Sequence, residues 1–411
     1  MLTNKIRSMY ERNTNYCWII VALSVMTVFF SGPGQTYFIS GFIDSFIKEF
    51  DISRTEISSY YSTATFIAGI LLIFVGRFID RYGHRRMTMI IASLLGITCI
   101  LCGNVPSAIL LIAVFFLLRL LGQGSMVLLP STLIPNWFTK RRAMALSLVT
   151  LGGVIGSVVI PPINTWALYY FSWRIIWMFW GGLLLVFFVP IVALFLYNEP
   201  NSIHKEEGVD KKEQEEISWT LGEALRTKAF WFMVYSQSVP AFVNTGLYFH
   251  MYSIMEQKGL SSAIAAMTLS AIGLFSFPAT FIAGYVLDRV KVHYVYFITF
   301  VFQALGTLLL LFVDNQAIAI VFAFIFGIIT GFQNVCRRLV WPEYYGKKHL
   351  SSISGLTMTA LVIGSSLGPL IIGIGYDYFG SYSTVILVMV LAPVLAALLS
   401  ILSPKPIKKI K

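Results

Sequence analysis

The stretch from Gly76 to Arg86 reads G-R-F-I-D-R-Y-G-H-R-R and lies between two apolar runs. A charged loop between segments that could each cross a bilayer predicts a turn held at a membrane surface. A weaker copy stands half a chain later. There Gly284, Asp288 and Arg289 take the places of Gly76, Asp80 and Arg81, followed by Lys291 and His293. A basic turn repeated at half the chain length predicts a membrane protein built from two similar halves.

The rest of the chain agrees. Of its 411 residues 57% are hydrophobic and only 12% charged, about half the charge of an average soluble domain. That excludes an ordinary soluble protein. Twelve apolar runs recur, each near the length at which a helix spans the hydrocarbon. They cover approximately 17–39, 57–79, 87–104, 107–137, 143–170 and 172–197, then 229–255, 260–286, 293–313, 316–341, 350–376 and 381–403. The expected fold is therefore an all-α membrane protein with twelve transmembrane helices in two pseudo-symmetric six-helix bundles. The bundles are predicted over 1–197 and 229–411, the second with a basic tail. The stretch 198–228 carries Glu206, Glu207, Asp210, Lys211, Lys212, Glu213, Glu215 and Glu216, is too polar for lipid, and reads as a cytoplasmic linker.

A net charge of +11 could suggest a nucleic-acid partner, but the basic residues sit in alternate loops. Twelve spans place 23 of the 30 Lys and Arg on the side that carries both termini, and only Lys48, Arg54, Arg174 and Lys258 on the other. Cytoplasmic loops retain positive charge, so both termini are predicted to be cytoplasmic in a multi-pass protein of the cell membrane. The acidic residues fall in loops or at span ends, Asp44, Asp314 and Asp377 among them on the outer side. Met1 to Tyr16 is polar and basic with no cleavage pattern after the first run, which reads as an uncleaved first span. Cys17, Cys99, Cys102 and Cys336 lie inside apolar runs and read as structural thiols. No His cluster, nucleophile elbow or phosphate-binding loop stands at a membrane face, so no enzyme, metal site or cofactor is expected.

The halves align beyond the opening turn. Pro135, Phe138 and Lys140 match Pro342, Tyr345 and Lys347, and Trp18 roughly matches Trp231. Repeated six-helix halves are a transporter architecture. On these residues the chain resembles the major facilitator superfamily of secondary transporters. Gly76, Asp80, Arg81, Gly83, Arg85 and Arg86 match its signature between the second and third helices, and Arg119 with Gln123 and Gly124 matches another in the fourth. Trp137-Phe138 before Lys140, Arg141 and Arg142, then Gly152, Gly153 and Gly156, then Trp173-Arg174 before Trp177, look like its monocarboxylate and oxalate/formate branch. Anion exchangers of that branch carry a basic residue in the eighth and in the eleventh helix. Here Thr280 stands in the eighth, and no Lys or Arg lies between Ser351 and Tyr376, so a dicarboxylate antiporter is not expected. The resemblance implies that Asp80 and the nearby basic residues make cytoplasmic contacts that hold one conformation. Asp288 and Arg289 repeat them in a weaker form.

Arg119 is the residue most exposed to energetic argument. It lies about 18 Å into its span at the usual helical rise, where a charge costs at least a few kcal/mol unless compensated. Its partners should be carbonyls, neutral polar groups, water or an anionic substrate, with Gln123 on the same face at i+4. Arg337 and Arg338 come late in the tenth span, within reach of headgroups. They are a possible cytoplasmic gate, and at most one of two adjacent residues can face a cavity. Ser31-Gly32-Pro33-Gly34-Gln35-Thr36 should interrupt the first helix, which is tolerated only where backbone is shielded or lines a cavity. Asn244 to His250 is its counterpart in the seventh. His250 could carry a proton or act as a neutral hydrogen-bonding group. Gln35, Thr36, Asn244 and His250 join Arg119 and Gln123 as candidate substrate or coupling residues. Gly152, Gly156, Gly364, Gly368 and Gly373 read first as close-packing positions.

The function expected is transport of a small organic anion, a monocarboxylate in the first instance, by alternating access with proton coupling. An exporter of lipophilic drugs or metabolites is the alternative, and a non-transporting membrane sensor a more distant one. The expected partners are a small-molecule substrate, protons and membrane lipid, with no nucleic acid and a functional monomer.

Overall fold

A computed structural model describes residues 16–138, 142–197, 219–346 and 350–408. Among them every regular element is helical. All twelve predicted spans are helices, and nine of these helices are long and apolar enough to cross a bilayer by length and composition. The protein is an all-α, multi-spanning membrane protein of the two-bundle kind. The described chain divides into two compact units. The first runs to Ile52 and resumes at Thr63; the second takes in Ser53–Ser62 and the described chain from Trp219 onward, which includes the end of the expected linker.

The motif from Gly76 to Arg86 is not the eleven-residue loop that its charge predicts. The second span runs on as helix to Tyr82 and the third starts at His84. The whole turn is Gly83, at φ 79° and ψ 156°, a backbone state that only glycine adopts without strain. The equivalent position in the repeat is Lys291, which cannot do this. The eighth span accordingly ends at Leu287, and four residues pass before the ninth begins at Val292. One glycine thus explains why the first copy is tight and the second open.

The first span departs further from a simple rod. Its helix Tyr16–Phe30 stops at the predicted break, Gly32–Gly34 forms a 3-10 turn, and Gln35 is extended. Helix resumes at Thr36–Ile39 and again at Ile43–Phe50. Asp44 and Lys48, expected in an outer loop, are therefore helical. The chain ends this segment at Asp51, φ 51° and ψ 48°, a left-handed residue of the kind that Asp tolerates. The seventh span is unbroken over Lys228–Gln257 despite Pro240, so the matching regions of the first and seventh spans differ in backbone. The first span has two glycines flanking a proline; the seventh has only Gly246 in the matching region.

Close helix crossings use the glycines as predicted. A Cβ on Gly152 would strike the Val25 carbonyl of the first span, and one on Gly368 the Phe242 carbonyl of the seventh. One on Gly364 would lie 2.6 Å from the Ser238 carbonyl. The fifth and first spans, and the eleventh and seventh, thus meet backbone to backbone. Phe38 packs edge to face and Phe42 at a tilt against Trp177, with ring centroids 4.8 and 5.3 Å away, closing the core of the first unit. Phe179, Phe281, Leu391 and Tyr378 stand outward, as side chains facing lipid must.

The end of the expected linker is ordered. Thr220 and Glu223 form a capping box on the short helix Leu221–Leu225, Trp219 N–H donates to the Tyr345 carbonyl at 2.9 Å, and Lys408 reaches Glu223 at 2.9 Å. The Lys408 hydrogen bond and the Thr220 backbone N–H hold the Glu223 carboxyl down to about 2.

In the first unit Glu49 accepts from Arg174 at 2.6 and 3.0 Å and from the Trp173 indole at 2.5 Å. Arg174 also donates to the carbonyls of Gly103 and Val105. Burial raises the Glu49 carboxyl, but the Arg174 and Trp173 hydrogen bonds prevail and hold it below its ordinary 4.5. The pair's stability is thus present above the ordinary value and lost as pH falls through the lowered one. Glu49→Gln should lower the melting temperature at pH 7, and the gap to the unsubstituted protein should close on acidification below 4.5. Because the pair is partly exposed, the shift should be small and salt-sensitive.

Candidate functional site

In the first unit the interrupted first span and the fourth span form one polar junction. Helix irregularity occurs on both sides: Arg119–Met126 is π-helical. Gly34 and Gly122 let the two backbones touch, since a Cβ on Gly34 would lie 2.7 Å from the Gly122 Cα and 2.6 Å from the Gln123 nitrogen. That approach brings the Gly34 carbonyl, freed by the break, within reach of the Arg119 guanidinium. Arg119 donates to it at 3.1 Å and to the Thr36 hydroxyl at 3.4 Å, and is 3% exposed. The neutral acceptors expected for this cation are therefore present. Gln35 turns back to donate to the Ser31 hydroxyl at 3.0 Å. Gln123 is half-buried within the same π-helical segment.

In the second unit His250 is fully buried at the centre of a second junction. Its Nε2 lies 3.0 Å from the Pro369 carbonyl and 3.3 Å from the Ser58 hydroxyl, and its Nδ1 lies 3.3 Å from the Tyr382 hydroxyl. A carbonyl only accepts, so Nε2 carries a hydrogen, and in the neutral tautomer Tyr382 donates to Nδ1. The neutral imidazole satisfies both nitrogens. Arg54 stacks at 5.1 Å over Tyr376 and 5.8 Å over Tyr382 and donates to Ser253, adding a fixed positive charge to the same cluster. Arg54 and Ser58 open the second span, and no spacing in the sequence connects them with the seventh.

A separate amide chain crosses the same unit. Gln333 donates to Gln303 at 2.9 Å, Gln303 donates to Asn244 at 3.1 Å, and Trp341 donates to Gln237 at 2.5 Å. Gln303 was not visible as a candidate in the sequence, because one Gln in an apolar span has no characteristic spacing. Beside this chain lies a cavity of about 30 Å³ lined by Gln237, Asn244, Tyr296, Gln333, Asn334 and Arg337, among others. Arg337 donates to Asn334 at 3.3 Å, and Arg338 is exposed. Of the two adjacent arginines, Arg337 is the one turned inward. The interfacial expectation fits Arg338 alone.

The turn motif makes ties within the first unit. Arg85 donates to the Ala193 carbonyl at 2.7 Å and lies 5.5 Å over Tyr197, joining the third span to the end of the sixth. Arg81 and Arg86 are exposed, Arg81 lying over Tyr82. A Cβ on Gly76 would meet nothing within 4 Å. The Asp80 side chain lies outside the described residues, as do Lys140, Arg141, Lys347 and Lys348 and the charged run from Glu206 to Glu216. In the repeat, Asp288 is exposed and Arg289 folds back onto its own helix, donating to the Tyr285 carbonyl and covering that ring at 3.6 Å.

Two helical units with polar junctions buried inside apolar spans define a multi-pass membrane protein of the transporter-like fold class. Residues 18–369 and 254–411 match the family model of the Major Facilitator Superfamily, and the chain belongs to that family. It is 27% identical over 223 residues to the probable galactarate/D-glucarate transporter GudP of Escherichia coli strain K12, a match covering 53% of this chain and 48% of GudP. The chain thus spans about half the length of that relative. To the uncharacterized MFS-type transporter YhjX of the same organism it is 22% identical over 371 residues, 87% of each chain. The crystal structure of a bacterial homolog of the human lysosomal transporter Spinster superposes with a TM-score of 0.77 at 15% identity, covering 95% of this chain and 97% of that one. The fold is shared; its non-catalytic family excludes an enzyme.

Proposed function

We propose that this chain is a secondary transporter that moves a small organic anion, a monocarboxylate in the first instance, by alternating access with proton coupling. The observation that carries the reading is Arg337. It is a cation in a transmembrane helix, turned toward a polar cavity and hydrogen-bonded to the neutral Asn334. Among the described residues no carboxylate forms an ion pair with it. A cationic group of that kind favours an anionic solute. Arg119, set against the Gly34 carbonyl and the Thr36 hydroxyl, adds a second positive site. The probable galactarate/D-glucarate function of GudP supports an acid as the cargo, and Trp137-Phe138, Gly152, Gly153 and Gly156, and Trp173-Arg174 before Trp177 support the monocarboxylate and oxalate/formate branch.

The proton travels with the anion as net acid in this reading, so no buried carboxylate is required. His250 then serves as a neutral hydrogen-bonding centre for the seventh, eleventh and twelfth spans and for Ser58. The excess of basic residues in alternate loops supports cytoplasmic termini. A monomer contains both halves of the fold.

Purified protein reconstituted into proteoliposomes, with an acid exterior and labelled monocarboxylates outside, should accumulate label and should lose accumulation when the pH gradient is collapsed. His250→Gln should keep that dependence on the gradient while lowering thermal stability. Binding without flux in any gradient would make the protein a sensor and end the transport reading. Loss of proton dependence in His250→Gln with counterflow retained would make His250 the proton carrier.

A further inference from the structure

The cavity beside Arg337 holds more information than a positive charge. Three of its lining groups are buried polar atoms without hydrogen-bond partners: the Thr330 hydroxyl, on a half-buried residue, and two on almost fully enclosed residues, the Tyr296 hydroxyl and Gln333 Oε1. Tyr296 and Gln333 are 1% and 4% exposed. Such atoms are costly when left unsatisfied, so each points to a partner of definite chemistry.

The two call for different partners. Gln333 has committed its Nε2 to Gln303, whose own Nε2 is committed to Asn244. What remains on Gln333 is an acceptor, and an acceptor next to an anion would be repulsive. It needs an O–H or N–H donor. Arg337 is a pure donor, and the Tyr296 hydroxyl can donate. Both suit a carboxylate. One cavity therefore combines a carboxylate-binding pair with a hydroxyl-accepting amide.

We infer that the cavity binds the end of a hydroxylated carboxylate: the carboxylate takes hydrogen bonds from Arg337 and Tyr296, and a neighbouring hydroxyl of the solute donates to Gln333 Oε1. This rests on the anion-transport reading above and narrows it from carboxylates in general to hydroxy acids. A space of about 30 Å³ takes such a head or a pair of waters, with the remainder of a longer solute lying outside it. The chain through Gln303 to Asn244 positions the Gln333 amide.

The test uses matched pairs that differ in hydroxylation, lactate against propionate and gluconate against hexanoate, with binding to the full-length purified protein measured by calorimetry and flux measured in proteoliposomes. In at least one pair the hydroxy acid should bind about tenfold more tightly or better, the equivalent of one good hydrogen bond. Gln333→Leu should erase that preference, weakening the hydroxy acid about tenfold more than its unhydroxylated partner. Tyr296→Phe, which keeps the ring, and Arg337→Gln should each weaken both members of the pair. Melting curves of each variant establish that it is folded, and Gln333→Met replaces Gln333→Leu if the latter is not. Equal affinities within both pairs, or a preference that survives the loss of Gln333, would overturn the inference and indicate that the cavity holds water. If simple monocarboxylates are still transported in that case, the broader anion reading stands. If no carboxylate of either kind binds, both fail together.

Discussion

Arg119→Gln should lower anion uptake in proteoliposomes about a hundredfold while the protein still purifies as a folded species. The two halves of that expectation have different causes. A guanidinium 3% exposed within a transmembrane span carries a desolvation cost of at least a few kcal/mol, which its bonds to the Gly34 carbonyl and the Thr36 hydroxyl offset. Removing the charge removes the cost together with the bonds, so net stability changes little. Transport loses what the charge alone supplied. Hydrogen bonds to a charged group are worth about 1.5–3 kcal/mol, and a loss of about 2.8 kcal/mol is a hundredfold. Arg119→Lys separates charge from geometry. It keeps the cation but lacks the planar fork that reaches two acceptors, so its uptake should fall between the two. Uptake unchanged in Arg119→Gln would remove this residue from the transport machinery and leave it as a tie between the first and fourth spans.

Much of the architecture was legible because lipid imposes one rule on every span: backbone groups must be satisfied within a helix. Twelve apolar runs therefore became twelve helices, and the Gly-Pro-Gly of the first span became a break. The misreadings share a cause, which is that composition does not report backbone geometry. A run of charge from Gly76 to Arg86 reads as loop, yet helix continues through it and the turn shrinks to Gly83 because that residue alone takes a positive φ. Asp44 and Lys48 read as an outer loop, yet they belong to a helix whose Glu49 is held by Trp173 and Arg174. The second junction was half visible. His250 stood out as a polar residue in an apolar span, but its partners Ser58, Pro369 and Tyr382 come from three distant segments, and single-sequence spacing carries no tertiary information. Arg337 and Arg338 were inseparable by depth, being adjacent; only the rotation of the tenth span distinguishes them.

Gly34→Ala should be among the most damaging single-methyl additions in the chain. The new Cβ would fall against the Leu118 carbonyl, 2.6 Å from the Gln123 nitrogen and 2.7 Å from the Gly122 Cα. All three are main-chain atoms, which no rotamer change can move aside. Overpacking of this kind costs about 1–3 kcal/mol, and separating the first and fourth spans also stretches the bond from Arg119 to the Gly34 carbonyl, so stability and uptake should fall together. Two glycines provide the comparison. A Cβ on Gly182 or on Gly76 would meet nothing within 4 Å, and alanine inside a helix is favoured over glycine by about 0.5–1 kcal/mol. Gly182→Ala and Gly76→Ala should therefore melt at or above the temperature of the unsubstituted protein, and Gly34→Ala several degrees below it. Were Gly34→Ala to match them in melting temperature and uptake, the contact between the first and fourth spans would be looser than described, and Arg119 would not owe its acceptor to that contact. Gly76→Ala answers a second question in the same measurement. Gly76 opens the turn motif, yet nothing near it demands a glycine, so a stable variant with impaired flux would assign the requirement to the transport cycle rather than to packing in this conformation.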